Sequence, residues 1–333
     1  MLKPKTIVAV FLAVALLSVS MLSTVFASEK EDRKIVVFKK SVDAKRKESL
    51  LKKYGIDKIK ELNGINGVVV KLSKRNKLKD EKEVAYIEDD FIISISKKPV
   101  KDPVATPSPT PLPEIIPWGI EWMKAPVYWE QTDTDNVKVA VIDTGIDLDH
   151  PDLVDNIKGG FNALRKNKPA DDDNGHGTHV AGIVAASINE IGVVGMMPDA
   201  DLYAVKVLDS SGNGYISDII EGIDWAINNN INIMNMSFGT VNDSQSLHNI
   251  IIKAHGAGIT MIAAAGNNYG GTCEYPAAYP EVISVGAIDK LGNVANFSAQ
   301  QGVDIYSTYL DNGYVKMDGT SMAAPHVTGL NVL

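Results

Sequence analysis

Val139-Ala140-Val141-Ile142-Asp143-Thr144-Gly145-Ile146-Asp147 (VAVIDTGID) joins an unbroken apolar run to a carboxylate and a turn. Successive side chains of a strand point to opposite faces, so a run apolar at every position belongs to a strand covered on both. Similar runs recur at 202–208, 231–236, 259–265 and 282–288, and the first one extends back to 137. Between them, 176–186, 216–229 and 246–257 carry helical spacing. Doubly covered strands alternating with helices predict an α/β fold, a parallel sheet flanked by helices. In such a sheet functional groups collect beyond the carboxyl ends of the strands.

Composition narrows the class. The chain has 333 residues, 45% hydrophobic and 22% charged, with 27 Gly, 15 Pro and one Cys. These are globular proportions, and a single Cys excludes an internal disulfide scaffold. The net charge of −8 hides an uneven distribution, +10 up to Lys101 and −18 beyond it. That asymmetry predicts two units of opposite charge and argues against nucleic acid as a partner of the larger, acidic one.

Lys3 and Lys5 precede an apolar run over 7–22, followed by Val25-Phe26-Ala27. The run contains Ser18 and Ser20 and is short for a bilayer span, so 1–27 reads as a secretory signal peptide and the remainder as exported, with no stable membrane insertion. Residues 28–98 are Lys-rich with a short α+β rhythm. Strands are expected at 34–38, 68–70 and 91–93, a helix at 42–54 and a charged helical turn at 80–83. From 101 to 113 the sequence KDPVATPSPTPLP places Pro at five of thirteen positions, giving an extended linker, 99–113, open to proteolysis.

Three reactive side chains follow the turns of the larger unit. Asp143 ends the first run. His176 stands between Gly175 and Gly177 in NGHGTHVAG, at the entry of a helix of small apolar residues. Ser321 opens a helix in GTSMAAPHV, where its hydroxyl and N–H meet the positive end of the helix dipole. Singly, each also reads as a turn, a cap or a core histidine. His150, His179, His248, His255 and His326 show no HExxH or comparable ligand spacing and are assigned structural or surface roles. The single DTG lacks the second carboxylate that an aspartic protease needs.

Taken together, VAVIDTGID, GHGTHVAG, NMSFG, AAAGNN and GTSMAAPHV, in this order, resemble the motifs of the subtilisin family of serine proteases from about Glu114 onward. The resemblance implies a subtilisin-like three-layer sandwich and an Asp143, His176, Ser321 triad. In it Ser321 attacks the peptide carbonyl, His176 carries the proton and Asp143 orients the imidazole. It also implies that the Asn267 amide and the Ser321 N–H bind the oxyanion. Substrate would lie as an added strand between Ser237-Phe238-Gly239 and Ala264-Ala265-Gly266, with Tyr275-Pro276 closing the far end of the pocket. Glu274 falls where the family sets its preference for the residue before the cut. Pointing inward it would favour Lys or Arg, whereas pointing to solvent it would favour nothing. The adjacent Cys273 is expected to be a small buried residue or to sit near the pocket.

Calcium is the implied cofactor. The loop over 187–193 is similar to the family's calcium loop, with Ser187, Asn189, Ile191 and Val193 supplying oxygens, Asp152 a carboxylate, and Glu114 standing where the family has Gln. Residues 28–98 resemble the family's inhibitory and chaperoning propeptide, with VAYIEDD matching its last part and a small ferredoxin-like α+β fold implied. The expected organisation is therefore signal 1–27, prodomain 28–98, linker 99–113 and catalytic domain 114–333, self-cleaved between Lys98 and Glu114, secreted, and monomeric. Its partners would be protein or peptide substrates and its own prodomain. Relative to the family, the sequence lacks a strand after Ser298, and the chain stops 12 residues after Ser321, which predicts an incomplete catalytic domain with the inner face of the Ser321 helix exposed. The alternative is a catalytically defective member whose prodomain serves as a protease inhibitor or chaperone.

Overall fold

In the computed structural model, residues 32–73, 76–95, 113–132, 136–268, 270–294 and 304–331 are described. The signal segment 1–27, almost all of the 99–113 linker and the region of the missing strand after Ser298 lie outside them.

The N-terminal unit is β1 (Asp32–Phe38), α1 (Ala44–Lys53), β2 (Lys58–Leu62), β3 (Gly67–Leu72) and β4 (Val84–Asp89). Its strands form an antiparallel sheet in the order β2-β3-β1-β4, the ferredoxin-like arrangement, with a 3-10 turn, Lys77–Asp80, in place of a second helix. Asp43 caps α1 by accepting the Arg46 N–H at 2.7 Å, and Lys52 and Lys53 lie in its last turn, where the helix dipole favours cations. The period of two in β1 is put to double use. Val36 and Phe38 pack on α1 through Leu50 and Leu51, while Ile35 and Val37 face the larger unit.

Next comes β5 (Ile92–Ser94), which the sequence assigned to the N-terminal unit. It pairs instead, antiparallel, with β9 (Asn213–Tyr215) of the larger unit. Between them in the chain lie α2 (Trp118–Trp122), β6 (Lys138–Asp143), β7 (Ile157–Asn162), α3 (His176–Ala185) and β8 (Asp201–Lys206). After β9 follow α4 (Ile216–Asn228), β10 (Ile233–Met236), α5 (Gln245–Gly256), β11 (Thr260–Ala264), β12 (Ile283–Val285), the hairpin β13 (Ile305–Tyr309) and β14 (Gly313–Met317), and α6 (Thr320–Leu330).

Six of these strands make a sheet in the order β12-β11-β10-β6-β8-β7, every neighbouring pair parallel. As the continuous apolar runs require, both faces are covered. Ala140 and Ile142 of β6 pack with Ile219 and Ile223 of α4 and Ile250 of α5, whereas Val139 and Val141 pack with Val180 and Val184 of α3. The α4/α5 layer is itself covered on its outer side by the prodomain-like sheet, so Ile35, Val37, Leu62 and Val69 join one core with the helices.

Most of α6 is buried, including Thr320, Ser321, Met322, Ala324, His326 and Thr328. Ala323 and Val327 line an apolar hollow of about 190 Å³ with Trp118, Trp122, Val285 and Ile288. The exposed inner face expected for this helix is confined to that side. Among the described residues no helix is long and apolar enough to cross a membrane.

Candidate active site

The sheet brings the three reactive residues to one edge. Asp143 is the last residue of β6, and the neighbouring β10 leads straight into Ser237, and β11 beside it into Ala265, Gly266 and Asn267. Across this edge α3 and α6 pack against each other, with His176 opening one and Ser321 in the first turn of the other. The turn into α3 needs glycine twice. Gly175 has φ +98°, and Gly177 lies so close to the Gly145 carbonyl that a side chain would collide with it.

His176 Nδ1 lies 2.8 Å from Asp143 Oδ1, and both residues are buried. Asp143 Oδ1 also accepts the Thr144 N–H at 2.7 Å, while Thr144 Oγ1 accepts the Gly177 N–H at 2.9 Å, so one threonine ties the two turns together. Burial disfavours the imidazolium of His176, but the Asp143 carboxylate outweighs it and the pKa is raised above the ordinary value. Ser321 Oγ donates to the Ser237 carbonyl at 2.9 Å rather than to His176, and Ser237 Oγ returns a bond to the Ser321 carbonyl at 3.0 Å.

Asn267 is held through its oxygen, which accepts the Thr320 N–H at 3.1 Å and the Thr320 hydroxyl at 3.2 Å. Its Nδ2 is buried and has no acceptor among the described residues. A buried amide without an acceptor is costly unless something else supplies one, and here it lies beside the first turn of α6, whose leading N–H groups have no intrahelical acceptor.

The cleft already contains a strand. The Ile95 N–H donates to Gly212 O at 3.0 Å, and Ser94 is bridged to Gly239, so the end of the N-terminal unit lies between Gly212–Gly214 and the wall that Ser237, Phe238 and Gly239 form. Ile93 is 1% exposed, its side chain sunk in the common core. The Gly212–Gly214 wall was not anticipated, although two glycines spaced by one residue after an apolar strand are the kind of signal that marks a close backbone approach. The second wall, Ala264-Ala265-Gly266, takes its register from Ala265, whose N–H bonds to Val285 O and whose carbonyl accepts the Glu274 N–H at 3.0 Å.

Glu274 does not point to open solvent. Its carboxyl lies between Gly239 and Gly266, close enough that a methyl group added at either glycine would collide with it. Burial raises its pKa above the usual carboxylate range, and no cation is paired with it among the described residues. Cys273, by contrast, is exposed rather than buried, 3.5 Å from Ser284 Oγ, because it sits on the outer side of the turn that aims Glu274 inward.

The predicted calcium ligands also converge. Asp152 is wholly buried; its Oδ2 accepts the Val193 N–H at 2.9 Å and the Tyr314 hydroxyl at 3.0 Å, and its Oδ1 has no partner among the described residues. Ser187 Oγ is likewise buried without a partner. Glu114 Oε1 accepts the N–H groups of Asn189 at 2.7 Å and Glu190 at 2.9 Å, and Ile115 pairs with Val193, seating this segment on the loop. Asn189 Oδ1 accepts the Ile191 N–H at 3.1 Å, tightening the loop on itself. Among the described residues no cluster of three or more His, Cys, Asp or Glu is assembled. A buried carboxylate oxygen without a partner is nevertheless the kind of ligand a hard cation takes.

The remaining histidines are structural where predicted. His179 Nε2 lies 3.1 Å from the carbonyls of Ile305 and Val315, and burial pushes its pKa down to about 3. His326 is held by Met322 O, and burial pushes its pKa down to about 4.

Known proteins share this arrangement of sequence. Residues 134–333 match the subtilase family. A thermostable alkaline protease of Halalkalibacterium halodurans is 39% identical over 318 residues, covering 92% of this chain and 82% of its own. Subtilisin E of Bacillus subtilis is 40% identical over 325 residues, covering 92% and 81%. Subtilisin Savinase of Lederbergia lenta is 44% identical over 225 residues, covering 65% and 82%. With the family matched over most of the larger unit and the identity sustained across both units, this chain belongs to the subtilase family and is a subtilisin-like serine endopeptidase.

Proposed function

We propose that the chain is the precursor of a secreted, calcium-binding endopeptidase that processes itself, with Asp143, His176 and Ser321 as its triad. The observation that carries this reading is the chain's own 92–95 segment lying in the cleft as an added strand, bonded to Gly212 and bridged to Gly239 as a peptide substrate would be. In its neutral form His176 takes the Ser321 proton as the hydroxyl attacks the peptide carbonyl, and Asp143 holds the other ring nitrogen. The free Asn267 Nδ2 and the Ser321 N–H stabilise the oxyanion. His176 then protonates the leaving amine, and water repeats the sequence on the acyl-enzyme.

Residues 28–98 act as the inhibitory prodomain. The processing cut follows the 92–95 strand, in the stretch between Lys98 and Glu114 expected from the sequence. Glu274 in its half-buried position favours Lys or Arg before the cut in other substrates. Calcium would be held by Asp152, Asn189, Ser187 and the carbonyls of Ile191 and Val193 with Glu114 nearby, and would supply positive charge to the unpaired Asp152 oxygen.

The purified chain should cleave a general peptide substrate and release a fragment whose N-terminus lies between Lys98 and Glu114, and Ser321→Ala should abolish both. An equal rate in the Ser321→Ala protein would overturn the reading.

A further inference from the structure

Lys206 ends β8, directly beside Asp143 in the parallel register, and only 5% of it is exposed. Burying an ammonium is costly unless its protons are well accepted. Here they are accepted by the Thr144 carbonyl and by Asp173 Oδ1, the latter at 2.7 Å. Both acceptors belong to segments that carry reactive groups. Thr144 follows Asp143, gives its N–H to the Asp143 carboxylate and receives the Gly177 N–H on its hydroxyl. Asp173 stands in the loop that enters α3, next to Asn174, whose side-chain oxygen accepts the His176 N–H at 3.2 Å. The ammonium therefore bridges the turn after Asp143 and the approach to His176, on the side opposite the imidazole–carboxylate bond.

We propose that Lys206 is a positioning residue for the Asp143–His176 pair, clamping the Thr144 turn to the Asp173 loop so that carboxylate and imidazole meet at bonding distance. The proposal rests on the catalytic reading of these two residues. Its chemistry needs a cation with at least two donors, not a hydrophobic stem, so arginine should substitute and methionine should not. The charged groups around His176 are the Asp143 and Asp172 carboxylates, His179 on its own helix, and Lys206 with Asp173 beyond Thr144. Removing the ammonium leaves Asp173 uncompensated and the local charge more negative, which favours the imidazolium.

The test compares Lys206→Met and Lys206→Arg in the full chain, with rates expressed per active site titrated by a serine-reactive reagent. Lys206→Met is expected to lower kcat by about 10- to 100-fold while KM stays within about twofold, the pattern of misplaced reacting groups rather than weakened binding. Its acid limb should move to higher pH, and Lys206→Arg should recover kcat to within about threefold of the parent. A kcat per titrated site that is unchanged in Lys206→Met, or a loss that Arg does not restore, overturns the proposal. If the Met variant does not fold, Asp173→Ala removes only the exposed acceptor, and an unchanged kcat and pH profile there overturns it as well. A parent chain with no serine-dependent activity would instead refute the catalytic reading on which the proposal stands.

Discussion

Asp90 accepts two hydrogen bonds from Ser217, from its backbone N–H at 2.9 Å and its hydroxyl at 2.8 Å, so a carboxylate from one unit closes the N-terminus of helix α4 in the other. Glu88 does the same for α5, accepting from Ser244 Oγ at 3.1 Å, from the Gln245 N–H at 3.0 Å and from the Ser246 N–H at 2.9 Å. Lys60 adds ion pairs to Asp218 and Glu221 between the same bodies. Removing a helix cap of this kind costs about 1 kcal/mol. Asp90→Ala should therefore speed exposure of the active site after processing by several-fold, read as the rate at which a small serine-reactive reagent labels Ser321. Raising the salt concentration should speed it further by weakening the Lys60 pairs. Labelling at the parental rate would show that the caps do not hold the inhibitor.

The raised pKa of His176 sets the acid side of the pH profile. Only the neutral imidazole can take the Ser321 proton, so kcat/KM should climb with pH through that pKa, with a midpoint above the ordinary value of about 6.5. Asp143→Asn removes the group responsible for the raised value. Its residual activity, expected to be lower by about 10⁴-fold, should show an acid limb displaced to lower pH.

Asn267→Ala should leave KM nearly unchanged and reduce kcat by about 100- to 1000-fold, the usual cost of one oxyanion donor. Because Asn267 also receives the Thr320 N–H, Asn267→Asp serves as the second variant: it keeps that acceptor but loses the free donor, and should be as slow as the alanine protein.

Glu274→Gln separates charge from shape in the pocket. With the parent, peptides bearing Lys before the cut should exceed their Leu counterparts in kcat/KM, and the substitution should erase about 2 kcal/mol of that difference. Burial raises the Glu274 pKa, so the parent's preference should grow as pH rises through that value and fade below it. A parent that prefers Leu at every pH would remove Glu274 from the pocket chemistry.

Chelation should lower the melting temperature of the processed enzyme. A site occupied at about one hundred times its dissociation constant contributes about 2.7 kcal/mol, a shift of roughly 5–10 °C for a unit of this size. Asp152→Asn should abolish most of the difference between calcium-loaded and chelated protein, as measured by thermal melting.

The architecture was legible wherever a strand is covered on both faces. β6, β8, β10 and β11 fall within one or two residues of their apolar runs, because burial on both sides leaves a run that no helix pattern imitates. β7 was not legible. Its sequence, IKGGFN, has two glycines and an exposed middle, the mark of an edge strand that reads as a loop. β5 was recognised as a strand but credited to the wrong sheet, since local pattern says nothing about which distant edge a strand joins. The same limit separates the site residues. Asp143, His176, Ser321 and Asn267 each sit in a long, specific stretch of sequence. Lys206 and Thr320 instead owe their roles to neighbours about 30 to 60 positions away, so nothing in their own surroundings sets them apart.

The chain on either side of the linker is seated on the same body, Ile95 against Gly212 in the cleft and Pro113 against Ile191 on the 187–193 loop. If residues 28–98 are the inhibitor proposed above, then while the connection is intact it faces its target at an effective concentration of about millimolar, whatever the dilution of the protein. Cutting between these anchor points disturbs neither set of contacts, so the enzyme remains blocked at the instant of cleavage. What the cut removes is the tether. Inhibition, independent of protein concentration beforehand, becomes an ordinary bimolecular equilibrium, and the enzyme switches itself on by being diluted.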